Sequence, residues 1–476
     1  MLDVIFREYD IRGLYGKELN EKSVKAIGYL LGLLMLKKGC KNVSVGYDAR
    51  YSADELFGYL VSGLNKAGIK VYNLGLAPTP LGYFSLYVGA KFDANVMITG
   101  SHNPKDYNGF KITIGKESFF GAELKAFGKQ VQDFLANGEY IVDNAACEKY
   151  DILSLYVEFM SEQFAHLRGF EYEFGIDCAN GASGVVIKPL IKALNLKASI
   201  LFAEPDGQFP NHAPDPTEHE NLRALQDLLA QNPRIKMGFA FDGDADRMVA
   251  LNTQHIFCGD ELCYLFAKNI PNPRVLGEVK CSKNLFDEVG KFGEIFMGKT
   301  GHSNIKKMMK AQNIDLAAEV SGHIFFKHRY FGYDDGIYAF LRALELIHKG
   351  FDLQAMIEAL PKLYTTDEIK IPVSEEQKFQ LVEAFKSAVK AGELDDELKN
   401  LSKSAEFMEN NNSNLSVKDL CEIDGARIDF GFGWALLRAS NTSPYLITRF
   451  EATSLEQAKS LQEKVFALFE RVKQNL

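Results

Sequence analysis

The chain of 476 residues lacks any apolar run long enough to cross a bilayer. Its longest such run near the start, YLLGLLML, stops far short of the about 20 residues that a membrane-spanning helix needs. The opening residues, MLDVIFREYD, have neither the basic start nor the apolar centre of a secretory signal. We therefore expect a cytoplasmic protein with no membrane partner.

Cysteine is scarce and shows no pattern. The 7 cysteines are an odd number, they are scattered along the chain, and no CxxC occurs. This distribution is typical of reduced thiols in a cytosolic protein and argues against a disulfide framework.

Positive charge is also in deficit. The 63 Asp and Glu residues outnumber the 54 Lys and Arg residues, and the net charge of -9 argues against nucleic acid as the main partner. An anionic substrate would need arginine and lysine gathered locally. With 46% hydrophobic and 25% charged residues the chain is an ordinary globular one, and its length predicts three or four domains.

The first part of the chain alternates helical and strand patterns. A helix is predicted for SVKAIGYLLGLLMLKKG, and buried strands are predicted for NVSVGYD, IKVYNLG and ANVMITG. This alternation indicates a layered βαβ domain that closes near Asn144. A second series begins at YEFGIDCANGASG and reaches a strand in KMGFAFDGDADRMVALN, and a third runs from about Asn252 to Lys362.

The tail that begins at YTTDEIKIPV has a different character. Its polar stretch, ELKNLSKSAEFMENNNSNLSVKDL, is predicted to be a solvated loop. Strand patterns follow in ARIDFGFGWALLRAS and YLITRFEA, and a final helix is predicted from about Ser454.

The hexapeptide DGDADR directly follows an apolar strand and carries Asp242, Asp244 and Asp246 at alternate positions. In an extended backbone these carboxylates face one side, where they repel unless a cation joins them. Carboxylates together with a phosphate oxygen suit Mg²⁺. A calcium EF-hand loop is excluded because Arg247 stands where the sharp-turn glycine belongs. A solvated acidic turn is the alternative.

The turn TGSHNPKDYNG follows the strand ANVMI and carries Ser101 and His102, with Lys111 soon after. Loops that end strands hold much of the chemistry of α/β proteins, so Ser101 is a candidate nucleophile, although an ordinary turn explains the segment equally well. A Ser-His-Asp hydrolase is disfavoured because Ser101 lacks the G-x-S-x-G elbow.

The segment RASNTSP gathers Arg438, Ser440, Asn441 and Thr442 between a strand and a proline turn. A guanidinium with several neutral donors fits phosphate recognition, and an ordinary polar turn fits equally.

The segment AEVSGH places Glu319, Ser321 and His323 at alternate positions after a strand. A carboxylate and a hydroxyl on one face can bind sugar hydroxyls. Taken alone, the segment is better explained as a strand end with a hydrogen-bonded histidine.

Three shorter clusters complete the candidates. GKTGHSNIKK carries His302, with Ser303 as a possible N-cap of the next helix, and VKCS places Lys280 at a strand end. FREYDIRG sets arginines, including Arg12, around Tyr9. A plain surface, salt-bridged in the last case, is the alternative for each.

In this order, FREYDIRG, TGSHNP with NGFK, DGDADR, VKCS, KTGHS, AEVSGH and RASNTSP resemble the motifs of the α-D-phosphohexomutase family, specifically its bacterial phosphomannomutase/phosphoglucomutase branch. Each motif is modest, but seven in register along nearly the whole chain are highly specific.

The resemblance implies an α/β fold of four domains around a central cleft, three of them related α/β domains with mixed sheets and the last a smaller C-terminal α+β domain. The expected domains are 1–145 with the phosphoserine loop, 146–251 with the metal loop, 252–364 with the sugar-reading loop and 365–476 with the phosphate clamp.

The resemblance also implies the reaction. Hexose 1-phosphate and hexose 6-phosphate, of mannose and/or glucose, interconvert through a phosphoserine enzyme and a 1,6-bisphosphate intermediate. The implied cofactors are Mg²⁺ and hexose 1,6-bisphosphate as activator. The implied partner is a small-molecule sugar phosphate, and we expect a monomer or a weak homodimer.

Site residues carry over motif by motif. The implied catalytic residues are Ser101, His102, Lys111, Arg247, His323 and Arg12. The implied metal ligands are Ser101, Asp242, Asp244 and Asp246. The implied substrate-binding residues are Tyr9, Lys280, His302, Glu319, Ser321, His323, Arg438, Ser440, Asn441 and Thr442.

The general base stays open among Lys111, Arg12 and His323. Arginine is normally too basic for this role, which favours Lys111 or His323.

The sequence departs from the family pattern at a few positions. Ala245 and Ala318 replace frequent glycines, and a methyl group is tolerable there if φ stays negative. Ser443 stands where Glu is common. Val320 stands where the phosphoglucosamine branch typically has Gln, which disfavours an amino-sugar substrate.

Three alternatives remain: a phosphoglucosamine mutase, a phosphoserine-type phosphatase and a non-enzymatic protein that binds sugar phosphate or metal. A phosphatase needs no second phosphate clamp, and a non-enzyme needs no phosphoserine.

Overall fold

The computed structural model describes residues 3–138, 145–395, 416–441 and 444–476. The chain divides into two compact units. The first unit consists of Met1–Pro271 and Gly301–Leu353, and the second unit of Asn272–Thr300 and Gln354–Leu476.

The described helices alternate with strands along most of the chain. In chain order they are α1 Glu21–Lys37, α2 Ala53–Ala67, α3 Thr79–Phe84, α4 Gly121–Ala136, α5 Ile152–Gln163, α6 Gly184–Leu194, α7 Arg223–Gln231, α8 Gly259–Ala267, α9 Lys283–Val289, α10 His302–Gln312, α11 Gly336–His348, α12 Leu353–Glu358, α13 Lys378–Lys390 and α14 Leu455–Gln474. None of these helices is long and apolar enough to cross a membrane.

The described strands are mostly short and buried. They are β1 Ile11–Leu14, β2 Asn42–Tyr47, β3 Lys70–Leu76, β4 Ala94–Ile98, β5 Tyr107–Ile114, β6 Glu117–Ser118, β7 Glu148–Lys149, β8 Glu173–Asp177, β9 Lys197–Leu201, β10 Met237–Phe241, β11 Met248–Leu251, β12 Ile256–Phe257, β13 Arg274–Glu278, β14 Glu294–Gly298, β15 Leu316–Ala318, β16 Ile324–Phe326, β17 Tyr364–Thr365, β18 Ile369–Pro372, β19 Asp419–Cys421, β20 Ala426–Asp429, β21 Gly433–Ala439 and β22 Tyr445–Ala452.

The first unit contains two mixed sheets. In one, the strand order is β1-β5-β4-β2-β3-β7, with β6 on β5. Its strand β2 runs parallel to β3 and β4, whereas β5 runs antiparallel to both β4 and β1. In the other, the order is β12-β11-β10-β8-β9, with β10, β8 and β9 parallel and β11 antiparallel to β10. The mixed sheets expected from the sequence are confirmed.

Further strands extend the two units. In the first unit β15 pairs antiparallel with β16, and in the second unit β13 pairs parallel with β14. The second unit also holds an antiparallel sheet of order β17-β22-β21-β20-β19, with β18 on β22. Helices α13 and α14 pack their apolar residues against this sheet.

Local sequence explains the helix boundaries. Asn20 and Ser23 form a capping box at the start of α1, and Gly68 ends α2 with a φ of 98°. The final helix begins after Ser454, whose side chain accepts a hydrogen bond from the backbone of Gln457. The predicted helix start near residue 454 is therefore correct.

Helices α1 and α2 approach closely because both carry glycine at the contact. A methyl group added at Gly63 would lie 2.3 Å from the carbonyl oxygen of Lys25, and one added at Gly28 would lie 2.4 Å from that of Leu60. These positions leave no room for a larger residue without movement of one helix.

Several predictions from the sequence need correction. Helix α10 begins at His302 with Gly301 as its N-cap, so Ser303 lies inside the helix and is not the cap. The stretch KMGFAFDGDADRMVALN forms two antiparallel strands, β10 and β11, joined by a turn. The predicted boundary at Asn144 and most of the predicted polar loop before β19 lie outside the described residues.

Candidate functional site

The loop after β4 holds Ser101 in an uncommon backbone conformation. Its φ is 49°, in the left-handed region that non-glycine residues seldom adopt, and the residue is 3% exposed. Such strain costs about 1–3 kcal/mol and persists only where the surroundings enforce it.

Arg50 enforces this loop conformation. Its guanidinium donates hydrogen bonds to the carbonyl oxygens of Ser101 at 2.8 Å and Asn103 at 2.6 Å, and to those of Pro104 and Tyr107. The buried Asp48 accepts a hydrogen bond from Arg50 Nε at 3.2 Å. Asp48 and Arg50, which lie in the segment VSVGYDAR directly after β2, were not singled out from the sequence.

The Ser101 hydroxyl faces the residues of the DGDADR turn. Its Oγ donates to Asp242 Oδ2 at 3.1 Å, and it lies 3.1 Å from His102 Nδ1. The fold thus brings together two motifs that are about 140 positions apart in the chain.

The three carboxylates of Asp242, Asp244 and Asp246 are each fully buried, and one oxygen of each lies within 4.8 Å of the others. They converge through a turn, since Ala245 has a φ of 58°. The expectations from the sequence were conditional on an extended backbone through the turn and on a negative φ at Ala245, and neither condition is met. The left-handed residue reverses the chain so that alternate carboxylates still point inward.

Lys111 on β5 supplies positive charge to this group. Its Nζ donates to Asp244 Oδ2 at 2.7 Å and to Asp246 Oδ2 at 2.5 Å. Burial alone lowers the pKa of Lys111, but the two carboxylates outweigh burial and raise it above the ordinary value. Burial raises the pKa of Asp242, and the neighbouring Asp244 and Asp246 charges add to this.

The remaining carboxylate oxygens fit a metal ion. Asp244 Oδ1 and Asp246 Oδ1 are buried and make no hydrogen bond to any described group. Uncompensated buried oxygens are costly, and a hard divalent cation is the partner that oxygen ligands favour. The acidic cluster is therefore able to hold a metal ion.

Arg247 and His323 lie beside the acidic cluster and are joined by a backbone bridge. Arg247 Nε donates to His323 Nε2 at 3.1 Å, and His323 Nδ1 lies 3.1 Å from Asp334 Oδ2. Burial lowers the pKa of His323, but Asp246 and other partners raise it above the ordinary value. Asp334 is a buried residue of this cluster that the sequence did not single out.

Two other candidate histidines, His102 and His302, have a lowered pKa, in contrast to His323. Burial, with Arg247 and Arg12 nearby, holds the pKa of His102 well below its usual value. Burial and the Lys306 ammonium do the same for His302. Both rings are therefore neutral at pH 7.

Further candidates lie along the same part of the first unit. Arg12 donates to the carbonyl of Gly100 at 3.0 Å and pairs with Asp10. The ring of Tyr9 lies 6.0 Å from that of His302. Glu319 is 4% exposed, and Ser321, two residues later in the turn, is half-buried.

The second unit gathers its own cationic residues. Arg438, 3% exposed, is oriented by Asp424, whose Oδ2 accepts from its Nε at 3.0 Å. Ser440 is buried and Asn441 half-buried after β21, whereas Thr442 lies outside the described residues. Lys280 Nζ donates to Glu368 at 2.6 Å.

Comparison with known proteins places these motifs in one family. Models of four domains of phosphoglucomutase/phosphomannomutase match residues 3–125 (alpha/beta/alpha domain I), 154–254 (domain II), 258–364 (domain III) and 368–468 (C-terminal domain).

Full-length relatives agree with the domain matches. A phosphomannomutase/phosphoglucomutase of Pseudomonas syringae pv. tomato is 37% identical, covering 100% of this chain and 97% of the relative. One of Pseudomonas aeruginosa is 38% identical over 96% of this chain and 94% of its own. A crystal structure of a phosphoglucomutase/phosphomannomutase family protein from Burkholderia thailandensis superposes with a TM-score of 0.85 at 32% identity, covering 99% of this chain and 98% of that one.

Proposed function

This chain belongs to the phosphoglucomutase/phosphomannomutase family, and we propose that it interconverts the 1-phosphate and 6-phosphate of mannose and/or glucose. The observation that carries this proposal is the contact of 3.1 Å between the Ser101 hydroxyl and Asp242, inside a buried group of three carboxylates. It supports a serine that carries a phosphoryl group next to a metal ion.

The proposed cycle begins with phosphorylated Ser101. The bond between its Oγ and phosphorus breaks while the free hydroxyl of a hexose monophosphate forms a new bond to phosphorus and loses its proton to a base. The product is a hexose 1,6-bisphosphate. After it turns end for end, its other phosphoryl group is transferred to Ser101 Oγ. The bond between phosphorus and the sugar oxygen breaks, that oxygen takes back a proton from the base, and the isomeric monophosphate leaves.

Charge neutralisation is the main demand of phosphoryl transfer. Asp242, Asp244 and Asp246, with an oxygen of phosphorylated Ser101, would hold Mg²⁺. When bound, this ion supplies positive charge to the phosphoryl oxygens. Arg247 would bind the same group from its place beside Asp242, where its Nε lies 3.9 Å from Oδ2.

His102 and Lys111 complete the proposed surroundings of the transferring group. His102 lies against the Ser101 hydroxyl, and Lys111 reaches the cluster from β5. The proton acceptor stays open between Lys111 and His323, and Lys111 can serve only after its ammonium group has lost the proton that Asp244 and Asp246 stabilise. Arg12, whose guanidinium holds the Ser101 loop through Gly100, is proposed to orient the reacting end with Tyr9.

The end-for-end turn requires recognition that tolerates either orientation of the sugar. We assign the phosphate that is not being transferred to Arg438, Ser440, Asn441 and Thr442. A guanidinium offers a fixed fork of donors to phosphate, and it does not distinguish which carbon carries the phosphate. The sugar hydroxyls are assigned to Glu319 and Ser321, and Lys280, His302 and His323 are proposed as further substrate-binding residues.

The decisive experiment follows phosphorus on the protein and on the sugar. Ser101→Ala should lose the phosphoryl adduct in intact mass spectra and nearly all isomerisation followed by phosphorus NMR. Ser161→Ala is the matched control, because this buried hydroxyl donates a hydrogen bond to the Val157 carbonyl of its own helix. Near-normal turnover of Ser101→Ala would remove Ser101 as the nucleophile.

A phosphatase is distinguished by the phosphate grip. Arg438→Ala should strongly reduce isomerisation of hexose phosphates, since a charge-assisted fork is lost. A phosphatase would keep its hydrolysis of small phosphomonoesters in this variant. Parallel assays with mannose, glucose and glucosamine phosphates, with Mg²⁺ and a trace of 1,6-bisphosphate as activator, identify the sugar and test the amino-sugar alternative.

We also propose where the protein works and in which oligomeric state. The seven cysteines are all free thiols, which supports the cytoplasm. We still expect a monomer or weak homodimer that binds no nucleic acid. Sedimentation of the purified protein measures its oligomeric state.

A further inference from the structure

A cavity of about 270 Å³ in the first unit is lined by five lysines and one glutamate. We call it the lysine cavity, and its charged lining residues are Lys116, Lys306, Lys307, Lys310, Lys327 and Glu117. In a chain of net charge -9, such a concentration of ammonium groups needs an explanation.

Three of these lysines have polar partners. Lys306 Nζ donates to Asp334 at 3.0 Å, Lys310 pairs with Glu117, and Lys327 bonds to Asn313. The other two lysines, Lys116 and Lys307, are exposed, and among the described residues no carboxylate lies within ion-pair distance of either.

Aromatic side chains in the wall also contact two of the ammonium groups. Lys306 Nζ lies 4.0 Å from the ring centroid of Tyr83, and Lys116 Nζ lies 4.3 Å from that of Tyr87. Phe331 stacks on Tyr87 at 4.7 Å. Aromatic faces attract cations but supply no net negative charge, so the positive potential of the cavity persists.

A buried hydroxyl in the wall also lacks a partner. Ser303, 1% exposed, lines the cavity, and its Oγ makes no hydrogen bond within the described part of the chain. A buried polar group without a partner is unusual in a folded protein and marks a position that a ligand or water can satisfy.

We propose that the lysine cavity binds a small phosphate-bearing anion, at a site separate from the acidic cluster around Asp242. The volume lies just below the about 300–1,000 Å³ of sites for drug-sized ligands, so the ligand is at the small end, such as a sugar phosphate. Phosphate oxygens accept from several ammonium groups at once. The proposal goes beyond the mutase reaction and does not depend on it.

A chain of contacts connects the lysine cavity to the acidic cluster, but no residue that lines the cavity belongs to that cluster. Lys306 faces the cavity and bonds to Asp334, and Asp334 in turn contacts His323 beside the acidic cluster. Lys111 belongs to the acidic cluster, whereas Thr113, two residues along the same face of β5, lines the cavity.

Isothermal titration calorimetry tests the proposal, with pyrophosphate and ribose 5-phosphate as probes in low salt and EDTA. The double variant Lys116→Gln and Lys307→Gln should raise the Kd of the tighter probe at least tenfold, because two charge-assisted contacts are lost. The probe with the lower Kd shows whether the cavity prefers an inorganic or an organic phosphate. The mutase activity of this variant should equal that of wild type, which also verifies folding.

A matched double variant removes the same charge elsewhere. Lys41→Gln with Lys66→Gln changes two exposed lysines that do not line the cavity, and it should leave the Kd within twofold of wild type. An unchanged Kd in the Lys116 and Lys307 variant overturns the proposal. Equal weakening in both double variants, or no saturable binding of either probe to wild type, also overturns it.

Discussion

Lys111 is the internal counter-charge of the acidic cluster, and its removal should destabilise the first unit strongly. Its side chain is 5% exposed, and it faces two carboxylates that are 0% exposed, with Nζ 2.7 Å and 2.5 Å from their oxygens. At an effective dielectric constant near 20, each contact carries roughly 6 kcal/mol of Coulomb attraction. Much of this is offset by the cost of burying the ammonium group.

The net effect of Lys111→Met follows from what remains behind. Two carboxylates would lose their shared cation, and breaking a buried pair in this way costs about 3–5 kcal/mol. For a unit of this size we expect roughly 2 °C per kcal/mol, hence a fall in Tm of about 6–10 °C in EDTA. Circular dichroism melts measure this fall.

Magnesium distinguishes this explanation from simple loss of packing. A cation that binds the folded state at about 100 times its Kd adds about 2.7 kcal/mol. Because no ammonium competes for Asp244 and Asp246 in the variant, Mg²⁺ should raise the Tm of Lys111→Met more than that of wild type.

Lys25→Met is the matched control for burial. The Lys25 side chain is 4% exposed, but its partner Glu21 is 54% exposed and can be rehydrated. This variant should lose less stability than Lys111→Met and gain nothing extra from Mg²⁺. If Lys111→Met melts within 2 °C of wild type in EDTA, or responds to Mg²⁺ as wild type does, the reasoning is refuted.

Three further predictions concern stability. In thermal melts, Gly63→Ala should reduce the stability by about 1–3 kcal/mol because its methyl group would collide with the backbone of α1. Gly58→Ala on the same helix has nothing within 4 Å of its methyl group and should increase the stability by up to about 1 kcal/mol, and equal effects of the two variants would contradict the close approach of the helices. Burial raises the pKa of Asp335 to about 6, above the about 3.9 of an unfolded chain, so the folded state binds this proton more tightly and loses stability as pH rises from about 4 to 6. In urea titrations, the free energy of unfolding of Asp335→Asn minus that of wild type should therefore rise by roughly 3 kcal/mol between pH 4 and pH 7. If this difference is the same at both pH values, Asp335 does not titrate in that range. Arg427→Ala should lower the free energy of unfolding of the second unit by about 2 kcal/mol or more, because the guanidinium stacks 3.9 Å from the Trp434 ring centroid and donates to the Cys281 carbonyl at 2.8 Å. Tryptophan fluorescence during unfolding measures this loss, and Arg427→Lys should restore only part of the lost stability.

Local patterns determined much of the fold in advance. The apolar runs NVSVGYD, IKVYNLG and ANVMITG became β2, β3 and β4, since short apolar segments bounded by turn residues have few other ways to bury their side chains. Helix α1, Glu21–Lys37, overlaps its predicted segment, residues 23–39, and begins and ends two residues earlier. The overlap is close because an amphipathic pattern and a capping box are both local features.

The positions of the site residues in sequence were also informative. DGDADR and TGSHNP each follow a buried strand. The carboxylates of DGDADR pointed to a metal ion, TGSHNP offered a candidate nucleophile, and the family resemblance supplied the phosphoserine. The seven motifs together indicated the family that the comparisons then showed.

What the sequence left open depends on backbone geometry and on distant contacts. The positive φ at Ala245 and Ser101 follows from tertiary packing, because nothing in an alanine or a serine favours the left-handed region. For the same reason the extended backbone assumed for DGDADR was wrong, although its carboxylates do converge.

Asp48, Arg50, Asp334 and Lys306 form contacts that no local pattern announces. Asp48 accepts a hydrogen bond from Thr99, and Arg50 binds the carbonyls of the Ser101 loop, in both cases some 50 positions away. Periodicity and motif chemistry are properties of neighbouring residues, and they determined the elements and the reactive groups. Only the tertiary structure brings Ser101 to Asp242 and Lys111 to two carboxylates. These contacts depend on the folded chain, which buries the groups in an interior of low dielectric constant.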